Sequence, residues 1–188
     1  LQQVQQFDHM NLLDLGCGEG FYTNYIESKI SVPNVHNSKI YGVDISKDAV
    51  KYASKRNKNV HYSVATNAHT PFNEKQFELI INIFAPLVGK ECKRILKTNG
   101  RVFSVAPAPN HLIELKQEIY DTPELHQAAT IPEGFKLSSA KNIQQKIEID
   151  NEKDINNLLT MTPFGWKITK SKKQKLLIDN TSWMFSES

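Results

Sequence analysis

Short apolar runs, each followed by a stretch of helical period, alternate through the first two thirds of the chain, and this alternation restricts the fold more than any other feature. Strands separated by helices pair in parallel, because a parallel neighbour requires a crossover long enough to hold a helix. The predicted strands are Asn11 to Leu15, Ile40 to Asp44, Val60 to Ala65, Phe77 to Phe84 and Arg101 to Ala106. Helices are predicted from Gly20 to Lys29, from the N-cap Ser46 toward Arg56, and from Lys90 to Leu96, the last closed by Gly100 of the Thr98-Asn99-Gly100 turn. Beyond Pro107-Ala108-Pro109 the pattern loosens. There it predicts helices at Leu112 to Tyr120 and Glu152 to Leu159, a polar strand within Lys136 to Ile149 and a closing strand at Trp183 to Phe185.

At 188 residues the chain suits one hydrophobic core, and it is read as a single domain over 1–188. No apolar run approaches the ~20 residues that cross a bilayer, so no membrane partner is expected. Cys17 and Cys92 are too few for a disulfide framework and form no Cys-x-x-Cys pair, which points to a cytoplasmic setting. The histidines His9, His36, His61, His69 and His126 show no metal-like spacing, so no metal site is expected in this chain. A net charge of +3 permits contact with a polyanion without requiring it, and the basic run Lys170 to Lys175 reads first as a solvated helix face and second as an RNA-facing edge.

Asp14-Leu15-Gly16-Cys17-Gly18-Glu19-Gly20 follows a predicted strand and opens a predicted helix, the turn at which doubly wound folds bind nucleotides. Glycines there admit a ligand against the backbone, and the helix start supplies free N–H groups. Acidic Asp14 and Glu19 would repel a pyrophosphate and attract the ammonium of a methionine tail. Asp44, at the end of the second strand, suits a ribose diol. Ile45 can cover one face of an adenine, and Thr66 and Asn67, ending the third strand, its other edge.

The glycine segment and Tyr41-Gly42-Val43-Asp44 resemble the first motif and the following acidic position of class I S-adenosylmethionine-dependent methyltransferases. The resemblance implies a Rossmann-like, mostly parallel sheet of seven strands with the last antiparallel, S-adenosylmethionine as methyl donor and S-adenosylhomocysteine as product. Three further segments narrow it: Ile83-Phe84-Ala85-Pro86, Pro107-Ala108-Pro109-Asn110-His111-Leu112-Ile113-Glu114-Leu115-Lys116, and Met161-Thr162-Pro163-Phe164-Gly165-Trp166. Together they resemble the RlmA-type methyltransferases of guanine N1 in 23S ribosomal RNA, over nearly the whole chain.

That resemblance assigns Gly16, Gly18, Glu19 and Asp44 to the cofactor and places His111 beside its methionine end or the target base. Phe84, Pro86, Phe164 and Trp166 fall around the substrate, the two aromatics able to stack a flipped base. Guanine N1 bears a proton near neutrality, so a base or a polarising hydrogen bond is needed, and His111 is the candidate. Cys17 is expected to be a buried filler, since transfer to nitrogen needs no covalent intermediate. The resemblance further implies a ribosomal RNA hairpin as partner, leaves a homodimer open, and implies an N-terminal zinc-binding module absent here. Leu1 is not a natural start, and the expectation is a chain trimmed from a longer one.

A small-molecule methyltransferase, a non-catalytic cofactor-binding module and a nicotinamide oxidoreductase are the competing readings. Transfer of label to ribosomal RNA separates the first from the RNA reading, and methyl transfer to any substrate excludes the second. Calorimetry is expected to show S-adenosylmethionine binding by this chain, and its absence overturns the cofactor assignment.

Overall fold

A computed structural model of the chain describes residues 10–30, 38–149, 151–162, 165, 167–178 and 183–187. The chain divides into two compact units, Leu1–Ala106 with Ile131–Lys136, and Pro107–Thr130 with Leu137–Ser188.

In the first unit the strands are β1 (Asn11–Leu15), β2 (Lys39–Asp44), β3 (Val60–Val64), β4 (Phe77–Ile83) and β5 (Leu96–Val105). They pair in parallel in the order β3-β2-β1-β4-β5. The order reverses beside β1, and the C-terminal ends of β1 and β4 therefore border a crevice, the position at which open α/β sheets bind ligands. Helices α1 (Phe21–Ile30), α2 (Lys47–Arg56) and α3 (Gly89–Ile95) form the crossovers.

β1 is buried on both faces, as its unbroken Leu12-Leu13-Asp14-Leu15 run requires. Leu13 and Leu15 pack with Val43, Ile80, Cys92 and Ile95 on the α3 side. Leu12 packs with Ile30, Ile40, Val60 and Ile81 on the other. Asn82 interrupts the apolar run of β4, and it is buried because its side-chain amide donates to the Leu15 carbonyl at 2.9 Å. That bond fixes the end of β1 against β4 where the glycine turn begins.

Three expectations change. Among the described residues the main sheet holds five strands, all parallel, and no antiparallel last strand. The later strands β6 (Gln145–Ile149) and β7 (Trp183–Glu187) instead satisfy their backbone groups on each other as an antiparallel pair. Such a pair is marginal alone, and Ile149 joins it to an apolar cluster of Leu112, Leu115 and Ile119 from α4 (Ile113–Ile119) and Ile155 and Leu159 from α5 (Glu152–Met161). Second, α3 ends at Ile95 with Leu96 as its C-cap, and the Thr98-Asn99-Gly100 turn does not close it. Leu96 is buried and pairs with Phe77, so β5 starts there and Thr98-Asn99-Gly100 bulges from it, with Asn99 at φ +65°. Third, the basic run does lie on a helix, α6 (Lys170–Ile178), but Lys172 is not simply solvated. Its ammonium donates to the Ile119 carbonyl and to Asp121 at 2.9 and 3.0 Å.

The loop after β3 is fastened to α3 by Glu91, a buried carboxylate. Its Oε1 accepts from the Thr70 N–H and hydroxyl at 2.9 and 2.6 Å, and the Arg94 guanidinium grips both oxygens. Led by the Arg94 hydrogen bonds, these donors pull the Glu91 pKa from 4.5 down to about 2. A lowered carboxylate pKa gives stability that is present above the unfolded value and lost as pH falls toward the folded one. Glu91→Gln is expected to cost about 2–3 kcal/mol at pH 7. In urea melts the penalty should shrink between pH 4.5 and pH 2, and a penalty independent of pH would refute this account.

Candidate functional site

The turn after β1 takes its shape from glycines at positive φ, +87° at Gly16, +53° at Gly18 and +77° at Gly20. Side chains rarely adopt this region, and two of the three sites carry a second requirement. A Cβ on Gly20 would meet the Tyr62 hydroxyl at 2.5 Å, and one on Gly16 would collide with the Ala85 side chain. Gly18 differs, because a Cβ there would meet nothing within 4 Å. The space above Gly18 is open.

Asp44 holds this turn from the neighbouring strand. Its two oxygens accept from the N–H groups of Gly18, at 2.9 Å, and Ser46, at 2.8 Å. A carboxylate offers about four acceptor positions, so two remain while the backbone fixes the group's orientation. Ile45 beside it is 72% exposed, an apolar surface at the same strand end.

Asp14 lies elsewhere than an acidic residue flanking a loop would suggest. It is 2% exposed and accepts from the Thr23 hydroxyl, one turn into α1, at 2.5 Å. Burial is the main cause that raises its pKa from 3.8 to about 6, opposed by the Thr23 hydrogen bond and assisted by the Asp44 charge. Cys17 is also buried, and burial followed by the nearby Asp14 and Asp44 charges pushes its thiol up to about 12. It has the character of a filler and not of a nucleophile.

Glu19 is exposed at the tip of the turn. Asn67 comes to the turn from the end of β3: its amide donates to the Pro86 carbonyl at 3.0 Å and would lie 3.5 Å from a Cβ on Gly16. Gly16, Asn67, Ala85 and Pro86 thus converge at the ends of β1, β3 and β4. Thr66 is exposed and closes its own turn by accepting from the His69 N–H. Phe84 is half exposed at φ +53°, a conformation that costs a non-glycine residue about 1–3 kcal/mol. Its N–H is tied to the Val105 carbonyl at 2.9 Å, which holds it there.

His111 belongs to the second unit, on a turn closed by its own N–H to the Ala108 carbonyl at 2.9 Å. Phe164 and Trp166 lie outside the described residues. Sequence reasoning missed Thr23, Tyr62 and Asn82, which act behind the turn. Asn82 alone left a signal, a single amide within Ile80-Ile81-Asn82-Ile83.

A family model described as a methyltransferase domain matches residues 6–162. The chain is 33% identical over 171 residues to a Bacillus subtilis protein, YxjB, named provisionally as a 23S rRNA (guanine-N(1)-)-methyltransferase, covering 86% of this chain and 58% of that protein. It is 23% identical over 130 residues to a Micromonospora griseorubida protein given the same provisional description, covering 66% of this chain and 44% of that one. It is 25% identical over 161 residues to the 23S rRNA (guanine(748)-N(1))-methyltransferase of Streptomyces fradiae, covering 82% and 55%. The chain spans about half the length of these relatives. It belongs to the methyltransferase-domain family, as a class I, S-adenosylmethionine-dependent member with a parallel Rossmann-like sheet.

The residues present fit that cofactor. Open space lies over Gly18, a diol acceptor stands ready in Asp44, and Ile45 offers an apolar surface beside it. Asp14 adds negative charge from within the protein, where low polarity lets its field reach the turn. When bound, S-adenosylmethionine supplies a methyl group on a sulfonium, and the chain's part is to orient it.

Asp14 and Asp44 should separate when mutated. The raised Asp14 pKa means that stability present below pH 3.8 is lost as pH rises through about 6, and ionisation costs about 3 kcal/mol. Asp14→Asn is expected to melt higher than the wild type at pH 8, with the gain vanishing near pH 4, while binding S-adenosylmethionine about tenfold more weakly. Asp44→Ala should lose affinity and melt lower, because two N–H groups lose their acceptor. Calorimetry and thermal melts on the three proteins check both, and a destabilised Asp14→Asn at pH 8 would contradict the assignment of a costly buried charge.

Proposed function

We propose that this chain forms the catalytic domain of an enzyme that transfers a methyl group from S-adenosylmethionine to N1 of a guanine in 23S ribosomal RNA. The observation that carries the reading is the 33% identity over 86% of the chain. That share exceeds what the first unit holds, so the likeness reaches into the residues beyond Ala106 where substrate selection is expected. The names of these three relatives agree on the target atom.

In this reading Gly16, Gly18, Glu19, Gly20, Asp44, Ile45, Thr66 and Asn67 hold the cofactor, with Asp14 behind them. Phe84 and Pro86 border the base, and Phe164 and Trp166 stack on it. His111 accepts or polarises the N1 proton, so that the ring nitrogen presents a lone pair to the methyl. The grip on an RNA hairpin is shared with a zinc-binding module in the remaining length of the protein, and the enzyme works in the cytoplasm. Among the described residues no helix is long and apolar enough to cross a membrane.

The test uses the full-length protein, methyl-labelled S-adenosylmethionine and unmodified 23S ribosomal RNA. Label is expected in the RNA and, after digestion, in N1-methylguanosine. Label at another base or position, or transfer to a small molecule instead, would rule the reading out.

A further inference from the structure

Within the second unit, a lysine of α4 is buried beside the helix's apolar residues. Lys116 of α4 is 5% exposed, between Leu115 and the buried Ile119. A buried ammonium costs several kcal/mol unless hydrogen-bonded, and Lys116 donates to the Glu124 carbonyl at 2.8 Å. The segment after α4 is thereby drawn back along the helix. Two residues further on, the His126 N–H donates to the Pro109 carbonyl at 3.0 Å. Pro109 lies inside the same turn that the His111 N–H closes on Ala108. The two imidazole rings meet, with centroids 5.7 Å apart and planes inclined by 53°.

Backbone and side-chain bonds thus converge on one result, the placement of the His111 ring. Nothing in helix formation requires it: α4 begins after Leu112, which stands at φ +52° without a side-chain cap. A chain needing only a helix start would not bury a lysine and fold a loop back onto that turn.

We propose that His126 is a positioning residue, which holds the His111 imidazole in a fixed orientation toward the substrate base by ring contact. The inference rests on the methylation reading above for its consequence, though not for its geometry. Burial, the Lys116 charge and the nearby His111 lower the pKa of His126. His126 therefore stays neutral near pH 7 and presents an uncharged ring to its neighbour.

Two measurements on the full-length protein test this, using His126→Ala and His126→Phe. In the first, ring cross-peaks of His111 in 1H–15N spectra are compared with the wild type. They should shift and broaden in His126→Ala and remain near their wild-type positions in His126→Phe, which retains a planar ring. Unchanged His111 cross-peaks in the alanine variant overturn the proposal, whatever the enzyme acts on. In the second, methyl transfer to 23S ribosomal RNA is followed. His126→Ala should lower kcat about tenfold, with KM for both substrates within about twofold of wild type, and His126→Phe should recover most of the loss. Equal kcat in the alanine variant and the wild type overturns it as well. A wild type that methylates no RNA refutes the substrate reading alone, and the spectra still decide on His126.

Discussion

The turn after β1 keeps a shape that glycine-rich backbone would not hold by itself, because the neighbouring strand grips it. Parallel pairing sets Leu15 opposite Val43, so the chain leaves β1 directly over the end of β2. There the Val43 carbonyl accepts from the N–H groups of both Gly16 and Cys17, at 2.8 and 2.9 Å, and Asp44 takes the Gly18 N–H. From the other flank, Asn82 of β4 takes the Leu15 carbonyl. A segment rich in glycine loses much entropy on ordering. Bonds from both neighbours of β1 offset that loss.

Two buried carboxylates show where the protein accepts electrostatic cost. Glu91 is met by a guanidinium and two further donors, and its pKa falls. Asp14 is more deeply buried, is met by the Thr23 hydroxyl, and its pKa rises. The first arrangement ties a loop to a helix and is complete in itself. In the proposed reading the second keeps negative charge where a cationic ligand would relieve the cost, as binding sites that give up stability for affinity do. Phe84 repeats the pattern in the backbone, with strain held at the strand end that faces the same crevice.

The parallel sheet and its ligand-binding turn were legible because both rest on local signals: apolar period, the Ser46 cap confirmed by its bond to the Ala49 N–H, and glycine spacing next to a strand end. What escaped depends on partners distant in sequence. The β6 and β7 segments read correctly as strands, but pairing across the residues between them follows from packing and carries no local mark. Leu96 looked like the end of a helix, and its burial against Phe77 made it the start of a strand. An acidic residue beside glycines reads as a surface charge, and only the fold reveals Asp14 beneath α1. The packing of Tyr62 against Gly20 and Gly42 had no signal at all, since each position is unremarkable alone.

The division into two units matches a division of labour in the proposed chemistry. A sulfonium methyl is already reactive toward a nucleophile in line with it, so the first unit needs little beyond rigid placement of the cofactor. Guanine N1 is a poor nucleophile until its proton is accepted or polarised, and in that proposal His111 of the second unit meets the need. The second unit holds a buried lysine, a loop latched by two hydrogen bonds, and two histidine rings in contact. Lys116 and the backbone of His126 are placed by hydrogen bonds to the carbonyls of Glu124 and Pro109.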